Sequence, residues 1–120
     1  MARVVHFEIP TKDPKKAAAF YKKVFGWKVS QWGKEQYWMV STGDQKEPGI
    51  DGGIMIKKDL KTTVNTIGVD SVDKAVKKVV AAGGKIARKK IALPGMGWLA
   101  YCKDADGNAF GLMQMDKNAQ

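Results

Sequence analysis

The chain has little of what most catalytic centres are built from: one histidine, His6, and one cysteine, Cys102, in 120 residues. A lone cysteine excludes an internal disulfide and suits a reducing compartment. With a single His and a single Cys there is no Cys/His zinc cluster. No histidine lies near Cys102 in sequence, so Cys102 reads as a small buried hydrophobe rather than a nucleophile. Arginine is almost missing: of 21 basic residues only Arg3 and Arg88 are not lysine. Base readout and bidentate phosphate contacts favour arginine, so no specific nucleic-acid partner is expected. No apolar run approaches the roughly 20 residues of a membrane helix, so no membrane partner is expected. The opening MARVVHFEIP enters a strand with no cleavage site, and a cytoplasmic location follows as the expectation. There is no serine nucleophile elbow and no nucleotide fingerprint. The glycines of Pro94–Gly97 precede a strand rather than a helix, so they do not form a phosphate loop.

Hydrophobic residues make up 44% and charged residues 28% of the chain, the balance of an ordinary globular domain. One domain over residues 1–120 is expected, long enough for a real core. The formal net charge is +9, which attracts acidic lipid, nucleic acid or anionic substrates. The lysines are dispersed, with Lys15, Lys16, Lys22 and Lys23 on one predicted helix and Lys74, Lys77 and Lys78 on another. They read as solvated helix faces. The only unbroken basic run of three is Arg88 to Lys90.

Hydrophobic periodicity gives the elements. In residues 3–9, Val5, Phe7 and Ile9 alternate with Val4, His6 and Glu8, the pattern of a half-buried strand. Asp13 and Pro14 start a helix. Ala18, Tyr21, Val24 and Phe25 form its apolar face, and Gly26 ends it. Residues 27–32 and 36–41 read as a hairpin turning at Gly33. Residues 53–57 form a further strand, and residues 58–62 a polar connection. The pattern then repeats. Residues 63–69 form a strand, Ser71 caps a helix over 72–82, and residues 85–90, 98–103 and 108–115 are strands. The last two are joined by the turn DADG at Asp104–Gly107. The order βαβββ therefore occurs twice, in modules of about 1–58 and 62–116, with matching helix exits VFGWKV and AAGGKI. The fold class is α+β.

Two stretches, HFEIPTKDPKKAAAFYKKVFGW and GGKIARKKIALPGMGWLAYCKDADGNAFGLMQ, together resemble the vicinal oxygen chelate superfamily: glyoxalase I, bleomycin-resistance proteins and extradiol dioxygenases. The resemblance covers His6 to about Met115. It implies paired βαβββ modules that form a cupped mixed sheet around a cavity, commonly in a homodimer. It also implies a divalent metal held by two side chains on the first strands of the modules and two on the last strands. His6 matches the first of these positions, fourteen residues before Phe20 and seven before Asp13. Seven back from Ser71 is Val64, with Asn65 or Thr66 one or two positions on. The last-strand positions fall on Gly111 and within Gly53, Ile54, Met55 and Ile56. Three of four ligand positions thus lack a donor, and no metal or other cofactor is expected.

Alternation independently picks out the residues that face away from the helices. Val4, His6 and Glu8 do so on the first strand. Val64, Thr66 and Gly68 do so on the second module's first strand, and Ala109, Gly111 and Met113 on the last. A small, largely apolar lining with a few polar groups suits an organic ligand. His6 and Glu8, about 6.5–7 Å apart at Cα on one strand, are the candidate catalytic pair, with Glu8 expected to raise the histidine pKa. The competing reading is an inherited histidine bonded to a neighbour and a glutamate paired with a cation. Thr66, Trp98, Met55, Tyr101 and Met113 are the candidate ligand contacts, Trp98 because it follows the glycine-rich loop. Two functions remain open. One is a metal-free protein that binds a small organic molecule. The other is a lyase or isomerase related to glyoxalase I, which would use His6 and Glu8 or an atypical divalent metal site.

Overall fold

A computed structural model of the chain describes residues 2–56 and 60–120. Among these residues there are eight strands and two helices: β1 Arg3–Thr11, α1 Pro14–Phe25, β2 Lys28–Gln31, β3 Tyr37–Ser41, β4 Gly52–Ile56, β5 Val64–Gly68, α2 Val72–Ala81, β6 Lys85–Leu93, β7 Gly97–Lys103 and β8 Ala109–Met115. The fold is α+β and every expected element is present, with β6 running on to Leu93 beyond the expected end at Lys90. Lys57 of the expected fourth strand, and Lys58 and Asp59 of the expected connection, lie outside the described residues. No helix among the described residues is long and apolar enough to cross a membrane.

The chain divides into two compact units, residues 6–64 and residues 1–5 with 65–120. In the first, the strands run β2-β3-β4-β1, with β1 parallel to β4 and the other pairs antiparallel. In the second they run β5-β8-β7-β6, with β5 parallel to β8. Each parallel pair joins the first and last strands of a βαβββ run, a connection long enough to carry a helix.

Helix α1 begins where Asp13 Oδ1 accepts the Lys16 backbone N–H at 3.1 Å, with Pro14 in the first turn. It ends at Gly26, whose φ of 73° is the left-handed geometry that glycine adopts without strain. Helix α2 is capped in the same way by Ser71 Oγ on the Lys74 N–H at 3.2 Å. The core of the first unit is Ala18, Val40 and Ile54, flanked by Phe7, Ile9, Ala17, Tyr21, Trp27, Val29 and Trp38. That of the second is Val72, Ala100, Cys102 and Leu112, flanked by Ile67, Val69, Ala75, Val76, Val79, Trp98 and Phe110. Cys102 is fully buried and burial pushes its thiol pKa up, so it is not a poised nucleophile.

One core expectation fails. Val24 and Phe25 belong to the sequence-derived apolar face of the first helix, yet both are more than half exposed. Trp27 packs against that core instead, its ring flat on Tyr21 at 4.8 Å and 7°. Ala17, Ala18 and Tyr21 remain as the inward stripe.

Ile54, 0% exposed, is the largest fully buried side chain of the first unit. Ile54→Ala should cost about 2–5 kcal/mol. In urea unfolding this appears as a lower midpoint with an unchanged slope.

Candidate functional site

In the first unit, strand pairing sorts the candidate residues onto two faces. Glu8 lies opposite Gly53 and Pro10 opposite Met55, while Ile9 lies opposite the core residue Ile54. On β3, Tyr37 lies opposite Met55 and Met39 opposite Gly53, and the alternate residues Trp38 and Val40 point into the core. His6, Glu8, Gly53, Met55 and Tyr37 therefore share the face away from α1.

Tyr37 leans back along β4 from its position opposite Met55, so its hydroxyl sits directly above Gly53. A Cβ on residue 53 would collide with that hydroxyl. There the phenol meets His6 Nε2 at 2.7 Å. The two rings are nearly coplanar in orientation, 12° apart. Trp32 packs edge-on against Tyr37 at 6.4 Å. The result is a row of His6, Tyr37 and Trp32. Glu8, only 4% exposed, lies along the strand from His6.

Burial lowers the His6 pKa, and this outweighs the opposing pull of the nearby Glu8 and Asp51 carboxylates. Glu8 does pull the pKa upward as expected, but burial outweighs it and the net shift is downward. The imidazole is neutral at neutral pH, with one nitrogen able to accept a proton.

The second unit carries an equivalent arrangement. Thr66 lies opposite Gly111 as Glu8 lies opposite Gly53, so Val64 stands where His6 stands. Tyr101 flanks Gly111 from β7 and Met113 follows two residues on. Thr66, Tyr101 and Met113 thus share one face. A Cβ at Gly111 would come within 2.9 Å of Thr66 Oγ1. Thr66 is 3% exposed, and its hydroxyl has no hydrogen-bond partner among the described residues. Arg88 lies opposite Tyr101 on β6, its guanidinium 6.0 Å from the ring centroid.

Trp98 does not join this group. It packs with Ala100 and Cys102 on the α2 side. Its indole N–H donates to Asp116 Oδ2 at 3.0 Å, which holds that carboxyl below the usual range. Lys90 Nζ caps the ring at 4.7 Å and bridges to Asp73 at 3.0 Å. The sequence held the signal for this correction. Trp98 is two and four residues from Ala100 and Cys102, so it shares their face of the strand.

The four positions at which the resemblance implies metal ligands are occupied by His6, Gly53, Val64 and Gly111, three of which offer no donor side chain. No group of three or more His, Cys, Asp or Glu among the described residues is placed to hold a metal ion. At Gly53 the space a ligand side chain would need is filled by the Tyr37 hydroxyl. The residues present do not fit a metal of that kind. Sequence reasoning missed Tyr37, although its alternation with Trp38 and Val40 was legible. Its reach to His6 depends on strand register.

A family model described as bleomycin resistance protein-like N-terminal matches residues 3–43. No curated protein matches the sequence. Several solved structures share the fold. The hypothetical protein BH1468 from Bacillus halodurans C-125 is 12% identical with a TM-score of 0.69, covering 99% of this chain and 98% of that one. A Streptomyces coelicolor methylmalonyl-CoA epimerase variant is 14% identical with a TM-score of 0.67, covering 98% and 97%. The Mn(II)-bound glyoxalase from Novosphingobium aromaticivorans is 22% identical with a TM-score of 0.65, and the match covers 99% of this chain but 41% of that one.

Two substitutions separate the hydroxyl from the space it occupies. Tyr37→Phe keeps the ring, so it should cost about 1 kcal/mol for the lost hydrogen bond and leave the His6 midpoint below its ordinary 6.5. Gly53→Ala displaces the phenol, should cost about 1–3 kcal/mol, and lets water reach the imidazole, returning the midpoint towards 6.5. Imidazole NMR titration with urea melts reads both.

The lowered pKa also sets a pH dependence. Between the folded pKa and 6.5 the unfolded chain binds the additional proton. The stability gained by a neutral His6 is therefore complete above 6.5 and is lost as pH falls through the folded value. His6→Gln should flatten that limb of a stability–pH curve.

Proposed function

We propose that this chain, which has the fold of the vicinal oxygen chelate superfamily, binds a small organic molecule on the face carrying His6, Tyr37 and Met55 and does so without a metal. One observation carries the reading: the Tyr37 hydroxyl occupies the space above Gly53 and holds His6 Nε2 at 2.7 Å. The interaction a metal would make with this imidazole is made by a phenol instead. The match of residues 3–43 to a model described as bleomycin resistance protein-like supports a binding role. Half-buried Met55 beside the His6–Tyr37–Trp32 row offers an apolar, ring-lined surface on which a planar or aromatic ligand can stack.

A second reading has one specific support. A neutral imidazole hydrogen-bonded to a phenol is a base at neutral pH. On that reading the chain is a lyase or isomerase in which His6 takes a proton from a bound substrate; a methylmalonyl-CoA epimerase is among the proteins that share the fold.

Elemental analysis of the purified protein, before and after incubation with Ni, Zn and Mn salts, tests the metal. Less than stoichiometric metal is expected, with no change in His6→Ala; about one ion per chain, lost in that variant, would sink the metal-free reading. Trp32, 40% exposed and against Tyr37, serves as the reporter of binding. Planar aromatic compounds should quench tryptophan emission in the parent and not in Trp32→Phe. Tyr37→Phe and His6→Ala should each weaken affinity roughly tenfold, the cost of one hydrogen bond to a ligand or its support.

A further inference from the structure

We propose that the outer face of α1 docks the protein on an anionic lipid surface. The face joins two properties that seldom coincide on an exposed helix. Phe20, Val24 and Phe25 are 56%, 52% and 61% exposed, and Lys15, Lys16, Lys22 and Lys23 are all exposed on the same twelve-residue helix. Lys16, Phe20 and Val24 follow at i, i+4 and i+8 and make one ridge, with Lys23 beside Phe20 at i+3. Lys12, from the segment before the helix, lines with Lys16 and Phe20 a shallow open depression at the start of the ridge.

Charge identifies the occupant. The helix contains no acidic residue, and the adjoining Asp13 uses its carboxylate on the Lys16 N–H. The surface facing solvent is thus cationic with an apolar crest, the composition of helices that lie in the headgroup layer. A second copy docked about a twofold axis would bring the same lysines face to face. Flexible lysines beside a convex ridge suit a yielding surface whose headgroups can rearrange around them.

The two rings of the crest are packed against other rings. Phe20 packs edge-on against Tyr21 at 5.2 Å, and Phe25 lies against Trp27 at 5.7 Å and Tyr21 at 6.3 Å. Trp27 in turn contacts Phe7 in the core at 5.8 Å. The exposed rings are the outer end of an aromatic stack rooted in the sheet, so little ordering remains to be done on docking.

The test is co-flotation of the full chain with vesicles of phosphatidylcholine alone or mixed equally with phosphatidylglycerol, together with sedimentation equilibrium without lipid. The parent should float with the mixed vesicles and not with the neutral ones, and salt should weaken the binding. Phe20→Ser with Val24→Ser keeps every charge and removes only exposed side chains, so the fold should hold; partitioning should fall roughly tenfold or more. Lys16→Glu with Lys23→Glu should abolish it. Failure of the parent to float, equal binding to neutral vesicles, or undiminished binding by the serine variant would each overturn the proposal. So would self-association of the parent that the serine variant abolishes, which would make the face an interface between copies.

Discussion

A phenolic hydroxyl above a glycine organises the chemistry of the first unit. The contact between Tyr37 and Gly53 exists because residue 53 has no side chain, and the hydroxyl in that space is within hydrogen-bonding reach of the only imidazole in the chain. Burial that accompanies the packing lowers the His6 pKa. The same packing positions Tyr37 against Trp32. A side chain at residue 53 would undo the arrangement at once, because the phenol and a Cβ cannot share the space.

The second unit repeats the motif with different chemistry. Gly111 again leaves room beside a hydroxyl, this time that of Thr66. Where β1 has an imidazole bonded to the hydroxyl, the equivalent position on β5 is Val64, and the Thr66 hydroxyl stays unbonded among the described residues. An unsatisfied buried hydroxyl costs about 1–3 kcal/mol. A ligand atom that reached it would recover part of that cost. The two units thus share backbone geometry and differ in the groups they offer. This divergence is what a duplicated scaffold permits when only its cores are constrained.

Charge and aromaticity are divided over the surface. Lys90 covers Trp98 and bridges to Asp73. Asp116 takes the indole N–H of the same tryptophan. That ring, exposed by sequence expectation to a ligand, is instead built into the second core. The rings of Phe20 and Phe25 show the reverse. Helical spacing assigns Phe25 to the core, yet it is 61% exposed and lies at the outer side of the Tyr21–Trp27 stack.

Local rules were enough for much of this protein. The repeat of βαβββ, the caps at Asp13 and Ser71, the left-handed Gly26 and the parity that separates Phe7 and Ile9 from His6 and Glu8 depend on dihedral preference and on periods of 2.0 and 3.6. They were readable because neighbours in sequence decide them. The absence of donors at three implied ligand positions was also readable, since it is a matter of composition at fixed spacing. Tertiary structure alone decided which way long side chains lean and which competitor fills a space. Tyr37 reaches His6 across strands separated by about thirty residues of chain, an approach set by register. The direction of the His6 pKa required comparing burial with two carboxylates. Trp27 packs against the first core while Phe25 stays 61% exposed, and only packing shows which of the two rings is inside.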